Sequence, residues 1–175
     1  MRIRPSVPFW AAFGALLLLV GPALGADTKA TTQRKGSGLP IPRFATLKSD
    51  EVNVRTGPGP RYPIDWVFKR KGMPVEIVAE YENFRKIRDW QGASGWVYQG
   101  LLTGKRSFII PSKVANLYKT PAASAEVIAK LEPEVMGEIR SCQGDWCRVK
   151  VAGAGVTGWI ARTDIWGVYK SEPVN

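Results

Sequence analysis

From Phe44 onward, apolar residues recur in short runs separated by Gly, Pro, Asn and Asp, and no long stretch keeps a helical period. Val52-Asn53-Val54-Arg55 alternates as a half-buried strand does. Pro74 to Ala79 forms a second run with Val75 and Ile77 on one face, Phe84 to Arg88 a third, and Gly95 to Tyr98 a fourth. Between the first two lies Thr56-Gly57-Pro58-Gly59-Pro60, where prolines remove ladder donors and glycines permit positive φ, so irregular backbone is expected there. Four or five strands within about 60 residues cannot hide their inner face as a flat sheet, and must curl into a small barrel.

The pattern then returns. Ala115-Asn116-Leu117 answers Val52-Asn53-Val54, Pro121 answers Pro58, and Gly158-Trp159-Ile160 answers Gly95-Trp96-Val97, each 63 positions later. Val135 to Ile139 answers Val75-Glu76-Ile77 with a small slip, and Trp146 to Lys150 answers Phe84 to Arg88. The same elements in the same order predict two domains, residues 44–106 and 107–170.

The chain has 175 residues, and its start has the composition of a targeting segment: Arg2 and Arg4, an uncharged apolar run of twelve residues from Phe9 to Val20, then Pro22 and Ala23-Leu24-Gly25. Residues 1–25 are therefore expected to be a secretory signal, with an uncleaved N-terminal anchor as the alternative. No cysteine follows the run, which argues against a lipoprotein. Residues 26–43, rich in Thr, Lys, Gly and Ser, are expected to form a polar linker, mobile or extended. The protein is predicted to be exported, periplasmic or extracellular, with no transmembrane segment in the mature chain.

Charge and composition narrow the chemistry. Beyond residue 25 there are 23 Lys+Arg against 15 Asp+Glu. Export makes nucleic acid an unexpected partner, leaving anionic wall polymers, lipids or acidic proteins, unless the charge serves only solubility. Histidine is absent, which removes Ser–His and Cys–His nucleophile pairs and the commonest zinc sites. No two acids sit in a recognisable catalytic arrangement, so no enzymatic activity, metal or cofactor is expected.

Val52-Asn53-Val54-Arg55-Thr56-Gly57-Pro58-Gly59 with Tyr62-Pro63, followed by Gly95-Trp96-Val97, resembles the bacterial SH3-like domain. With Leu39-Pro40-Ile41-Pro42-Arg43-Phe44 ahead, two cysteines in the second unit and Trp166-Gly167-Val168-Tyr169 at the end, residues 40 to 170 resemble the exported two-module SH3-like proteins of Gram-negative bacteria. The second copy is degenerate, because Tyr118-Lys119-Thr120-Pro121 lacks the glycines. The resemblance implies an all-β chain of two tandem small barrels with a non-catalytic binding role. It also implies that Phe84 and Trp146 border a ligand groove, with Ile87 and Val149 in the core.

Tyr62, Trp66, Phe84, Trp96 and Tyr98 are accordingly candidates for a partly exposed aromatic surface, suited to an extended peptide or a sugar face. For Trp66 and Trp96 plugging the core or the barrel ends is the favoured role over the exposed one, and Trp146 and Trp159 are candidates for the contact between modules. Lys69, Arg70, Lys71, Arg85, Lys86 and Arg88 form a candidate basic rim, residues 44–106 having eleven basic against seven acidic residues and the chain beyond them eight against seven. Cys142 and Cys147 flank Gln143-Gly144-Asp145-Trp146 and are expected to form a disulfide across a hairpin in an oxidising compartment. The expected function is envelope binding, with peptidoglycan or its stem peptides as ligand. The alternative is a protein–protein interaction adaptor or an accessory subunit of an envelope enzyme.

Overall fold

The computed structural model describes residues 36–175. The expected signal at 1–25 and most of the expected linker lie outside the described residues. The first sheet contains β1 (Arg43–Leu47), β2 (Val52–Arg55), β3 (Ile64–Phe68), β4 (Pro74–Tyr81), β5 (Phe84–Arg88), β6 (Ser94–Tyr98) and β7 (Leu102–Thr103), in the order β3-β2-β6-β5-β4-β1-β7. The second contains β8 (Ser107–Ile109), β9 (Ala115–Tyr118), β10 (Val127–Leu131), β11 (Met136–Gln143), β12 (Trp146–Val151) and β13 (Thr157–Ala161), ordered β10-β9-β13-β12-β11-β8. Every pairing is antiparallel. A 3-10 turn follows the last long strand of each copy, at Gln99–Leu101 and Arg162–Asp164.

The two copies correspond strand for strand in order, β2 to β6 with β9 to β13, with a register shift inside both long strands, after Ile77 in β4 and after Ile139 in β11. Such a bulge bends a strand and lets one sheet wrap round its own core. Val52, Val54, Val75, Ile77, Ile87 and Val97 fill the first core, and Leu117, Ile139, Cys147, Val149 and Ile160 the second. Gly95 and Gly158 are required by this wrapping. A Cβ at Gly95 would lie 2.4 Å from Val54 and 3.2 Å from the Trp66 ring, and one at Gly158 would lie 2.7 Å from Leu117.

Alternation holds in β2, β5, β6, β9, β12 and β13, but fails in β1, β8 and the first half of β4, where both faces are buried. The reason is the contact between the two barrels. Phe44, outward on β1, packs edge-on against Trp166 with ring centroids 4.8 Å apart, and at a tilt of 43° against Tyr169 at 4.7 Å. Ile109 and Met136 of the second copy, with Trp166, join the core cluster of the first. Thr46 and Ser107 share a buried hydroxyl hydrogen bond of 2.7 Å. The interface is therefore built from β1, β4, β8 and the C-terminal segment; Trp146 instead packs edge-on against Tyr118 of its own barrel, and Trp159 is paired with Tyr118 and Arg148.

Polar groups close this interface. The Tyr169 hydroxyl donates to Glu76 at 2.7 Å, and Arg88 holds the other oxygen of the same buried carboxylate. Arg106 pairs with Glu172 and lies 5.5 Å from the Phe44 ring. Burial, with the Glu76 carboxylate beside it, pushes the Tyr169 hydroxyl well above its ordinary pKa. Arg70 reaches across to the Glu134 carbonyl at 2.9 Å.

Residues 36–42, assigned from sequence to the linker, are tied to the first barrel at Glu80. The Ser37 hydroxyl donates to Glu80 at 2.7 Å, Arg43 pairs with it, and Arg85 lies 3.1 Å away. At the other end, Val174 pairs with Cys142 as an isolated bridge and is buried. Among the described residues no helix is long and apolar enough to cross a membrane.

Candidate functional site: the outer faces and the cleft between barrels

Period two sorts the side chains of β5 and β6. Arg85, Ile87, Gly95 and Val97 turn inward, while Phe84, Lys86, Trp96 and Tyr98 share the outer face. Lys86 lies directly across from Trp96, and Phe84 across from Tyr98, their rings 6.0 Å apart at 66°. Tyr98 is 48% exposed, whereas Trp96 and Phe84 are half-buried. Three of the five candidate aromatics therefore form one outward surface.

The other two do not join it in the same way. Trp66 lies on the inner side of β3, against the core and the Phe68 ring at 6.0 Å, over the space Gly95 leaves. Tyr62 walls its own loop. A Cβ on Gly57 would come within 2.3 Å of the Tyr62 ring, so the glycine is what admits the ring. Arg61 lies 5.4 Å above that ring. Arg55, across from Trp96 on β2, donates to the Pro60 and Tyr62 carbonyls and ties this loop to the strand pair carrying Trp96. In the sequence Arg55 shows only as part of a strand; its outward parity is readable there, but its tie to the loop is not.

The six rim residues divide as well. Arg85 is buried, donating to Gln99 and the Glu82 and Phe84 carbonyls. Arg88 is held by Glu76, Lys69 pairs with Glu51 at 2.6 Å, and Arg70 belongs to the contact between barrels. Lys86 and Lys71 are left without an ion-pair partner among the described residues. Arg85 and Arg88, expected as rim cations on a strand, are structural because the register of β4 sets the Glu80 carboxylate across from Arg85 and the Glu76 carboxylate across from Arg88.

The second barrel repeats the outer face with different residues. Trp159 stands at the position of Trp96, with Arg148 across from it on β12 and Tyr118 on β9. Tyr118 meets Trp146 edge-on with centroids 5.3 Å apart. Cys142 and Cys147 are joined by a disulfide, across the hairpin of β11 and β12. In the first barrel the equivalent cross-strand pair is Glu80 and Arg85.

A further cavity lies where the barrels meet. It measures about 650 Å³ and is lined by Leu47, Met136, Val151 and Ala152, with Lys48, Lys71, Lys105 and Lys150 around it. No group of three or more His, Cys, Asp or Glu able to hold a metal ion occurs among the described residues.

Comparison with known proteins places these features in a family. The family model described as bacterial SH3 domain matches residues 48–104 and again 112–167. The protein named "Putative N-acetylmuramoyl-L-alanine amidase YrvJ" from Bacillus subtilis (strain 168) is 27% identical over 128 residues, which is 67% of this chain and only 24% of that protein. The solved structures of NlpC2 and NlpC1 from Trichomonas vaginalis align at 14% and 13% identity with TM-scores of 0.35 and 0.34, covering 77% and 79% of this chain and 51% and 50% of theirs. With both barrels matched, the chain belongs to the bacterial SH3 domain family and carries two copies of that domain.

Proposed function

We propose that this protein is an exported, non-enzymatic binding protein of the bacterial cell envelope that recognises peptidoglycan or its stem peptides. The observation that carries this reading is the outward aromatic face of Phe84, Trp96 and Tyr98 with Lys86 beside Trp96, repeated on the second barrel by Trp146, Trp159 and Tyr118 with Arg148. Flat rings give contact area to a sugar face or an extended peptide at low entropic cost, and a neighbouring cation suits carboxylate-bearing stems. Two such faces on one chain give avidity on a repeating polymer. A relative named for cleaving the bond between N-acetylmuramoyl and L-alanine supports a wall ligand, and the disulfide fits an oxidising compartment.

Co-sedimentation of the protein with purified sacculi tests the proposal. Pelleting at low salt, reduced by Trp96→Ala, is the expected result, and absence of pelleting by the intact protein overturns it. A second reading, an adaptor that docks on another envelope protein, is favoured by Val127 and Ile128, exposed at 43% and 39% on the free edge strand β10. Cross-linking in intact envelopes would then capture one dominant protein through β10 rather than wall fragments.

A further inference from the structure

The cleft between the barrels is built by turns of both copies. The first supplies the end of β1 and the β3–β4 turn, with Leu47, Lys48, Lys71 and Gly72. The second supplies the start of β11 and the β12–β13 turn, with Met136, Gly137, Lys150, Val151 and Ala152; Lys105 comes from the connection. Its volume, about 650 Å³, falls within the usual range for small-ligand sites. The floor is aliphatic, because Leu47, Met136 and Val151 are core residues whose edges reach the opening.

The rim has one sign. Lys48, Lys71, Lys105 and Lys150 are all exposed, and none is in an ion pair among the described residues. Arg106 also lines the cleft, but its guanidinium is held by Glu172. The single carboxylate in the lining, Glu138, pairs with Arg140 at 2.9 Å. Four ammonium groups around a narrow opening repel one another, and an anionic ligand relieves that repulsion. The chain's own residues 26–35 are a poor occupant, since they carry Asp27 against Lys29, Arg34 and Lys35.

We propose that the cleft between the two barrels is a binding site, separate from the outer aromatic faces, for a short acidic peptide whose carboxylates meet the lysines and whose aliphatic side chain rests on the Leu47–Met136–Val151 floor. An inorganic anion would use the lysines but leave the floor uncovered; a neutral apolar peptide would cover the floor and leave the lysines unpaired. The combination selects a ligand with both.

Calorimetric titration of the full chain with the capped peptide Ac-Glu-Val-Glu-Ala-NH2 tests this. Saturable binding is expected, weakening about fivefold when sodium chloride rises from roughly 50 to 300 mM, and about fivefold in Lys71→Gln/Lys150→Gln. Both lysines are exposed, so the double variant should keep its fold, checked by an unchanged melting curve. Ac-Gln-Val-Gln-Ala-NH2 and Ac-Glu-Gly-Glu-Gly-NH2 should each bind more weakly than the parent peptide, whereas Trp96→Ala should bind it normally. The proposal is overturned by equal binding of the glutamine or glycine peptide, by unchanged affinity in the lysine double variant, or by no saturable binding below about 1 mM. Loss of binding in Trp96→Ala would likewise overturn it, placing the peptide on the outer face.

Discussion

Trp66 and Trp96, two residues of one type in one barrel, have opposite assignments, and parity is the cause. Trp96 is outward on β6, whereas Trp66 packs on the core beside Phe68. Trp66→Ala should therefore cost about 3 kcal/mol of stability, measured by urea unfolding, through the cavity it leaves. Trp96→Ala should cost less than about 1 kcal/mol and act on sacculus binding instead. Glu80 gives a pH signature at the same scale. Burial alone would raise its pKa, but hydrogen bonds from Ser37 and Arg43 outweigh that and hold it at about 2, below its ordinary 4.5. A carboxylate with a depressed folded pKa contributes stability that is full above the unfolded value and lost as pH falls through the folded one. Unfolding midpoints should thus drop between pH 4.5 and about 2, and Glu80→Gln should flatten that part of the profile.

At the scale of elements, the same long hairpin is closed in two ways. In β4–β5 the cross-strand partners Glu80 and Arg85 form a buried ion pair, with Arg43 on the same carboxylate. In β11–β12 the matching partners are Cys142 and Cys147, their Cα atoms 4.1 Å apart. A charge pair needs further hydrogen bonds to offset desolvation, and Ser37, Gln99 and two backbone carbonyls supply them. A disulfide needs none, so the second hairpin does without an equivalent set. Closing so short a loop contributes only about 2 kcal/mol in the chain-entropy model. Replacing both cysteines by alanine should lower unfolding stability by about that amount without abolishing folding. The disulfide was legible in the sequence because the cysteines flank a turn. Its ion-pair counterpart was not, because Arg85 looks like any surface cation until the register sets it opposite Glu80.

For the whole molecule, the contact between barrels makes the two copies one structure. Phe44, Ile109, Met136 and Trp166 merge the first core with residues of the second, and Glu76 is covered by Tyr169. Tyr169→Phe removes the hydroxyl that donates to the buried Glu76 carboxylate and should cost about 1–3 kcal/mol. Calorimetry should show both barrels in a single transition for the intact chain, with Tyr169→Phe lowering or splitting it.

The sequence alone determined that there are two copies of one β-rich unit, where β2, β5, β6 and their counterparts lie, and which cysteines pair. Those features are written in period-two alternation and in an offset that keeps equivalent residues about 63 apart. It could not assign β1, β8 and β4 as strands buried on both faces, because their outer residues are covered by a partner distant along the chain. Plugging is the favoured role for both Trp66 and Trp96, yet only Trp66 packs on the core, and Arg85 and Arg88 pass for rim cations because nothing short of the register sets them across from Glu80 and Glu76. Only the tertiary structure brought Lys48, Lys71, Lys105 and Lys150 round one opening, since turns from both copies must meet before those charges share a site.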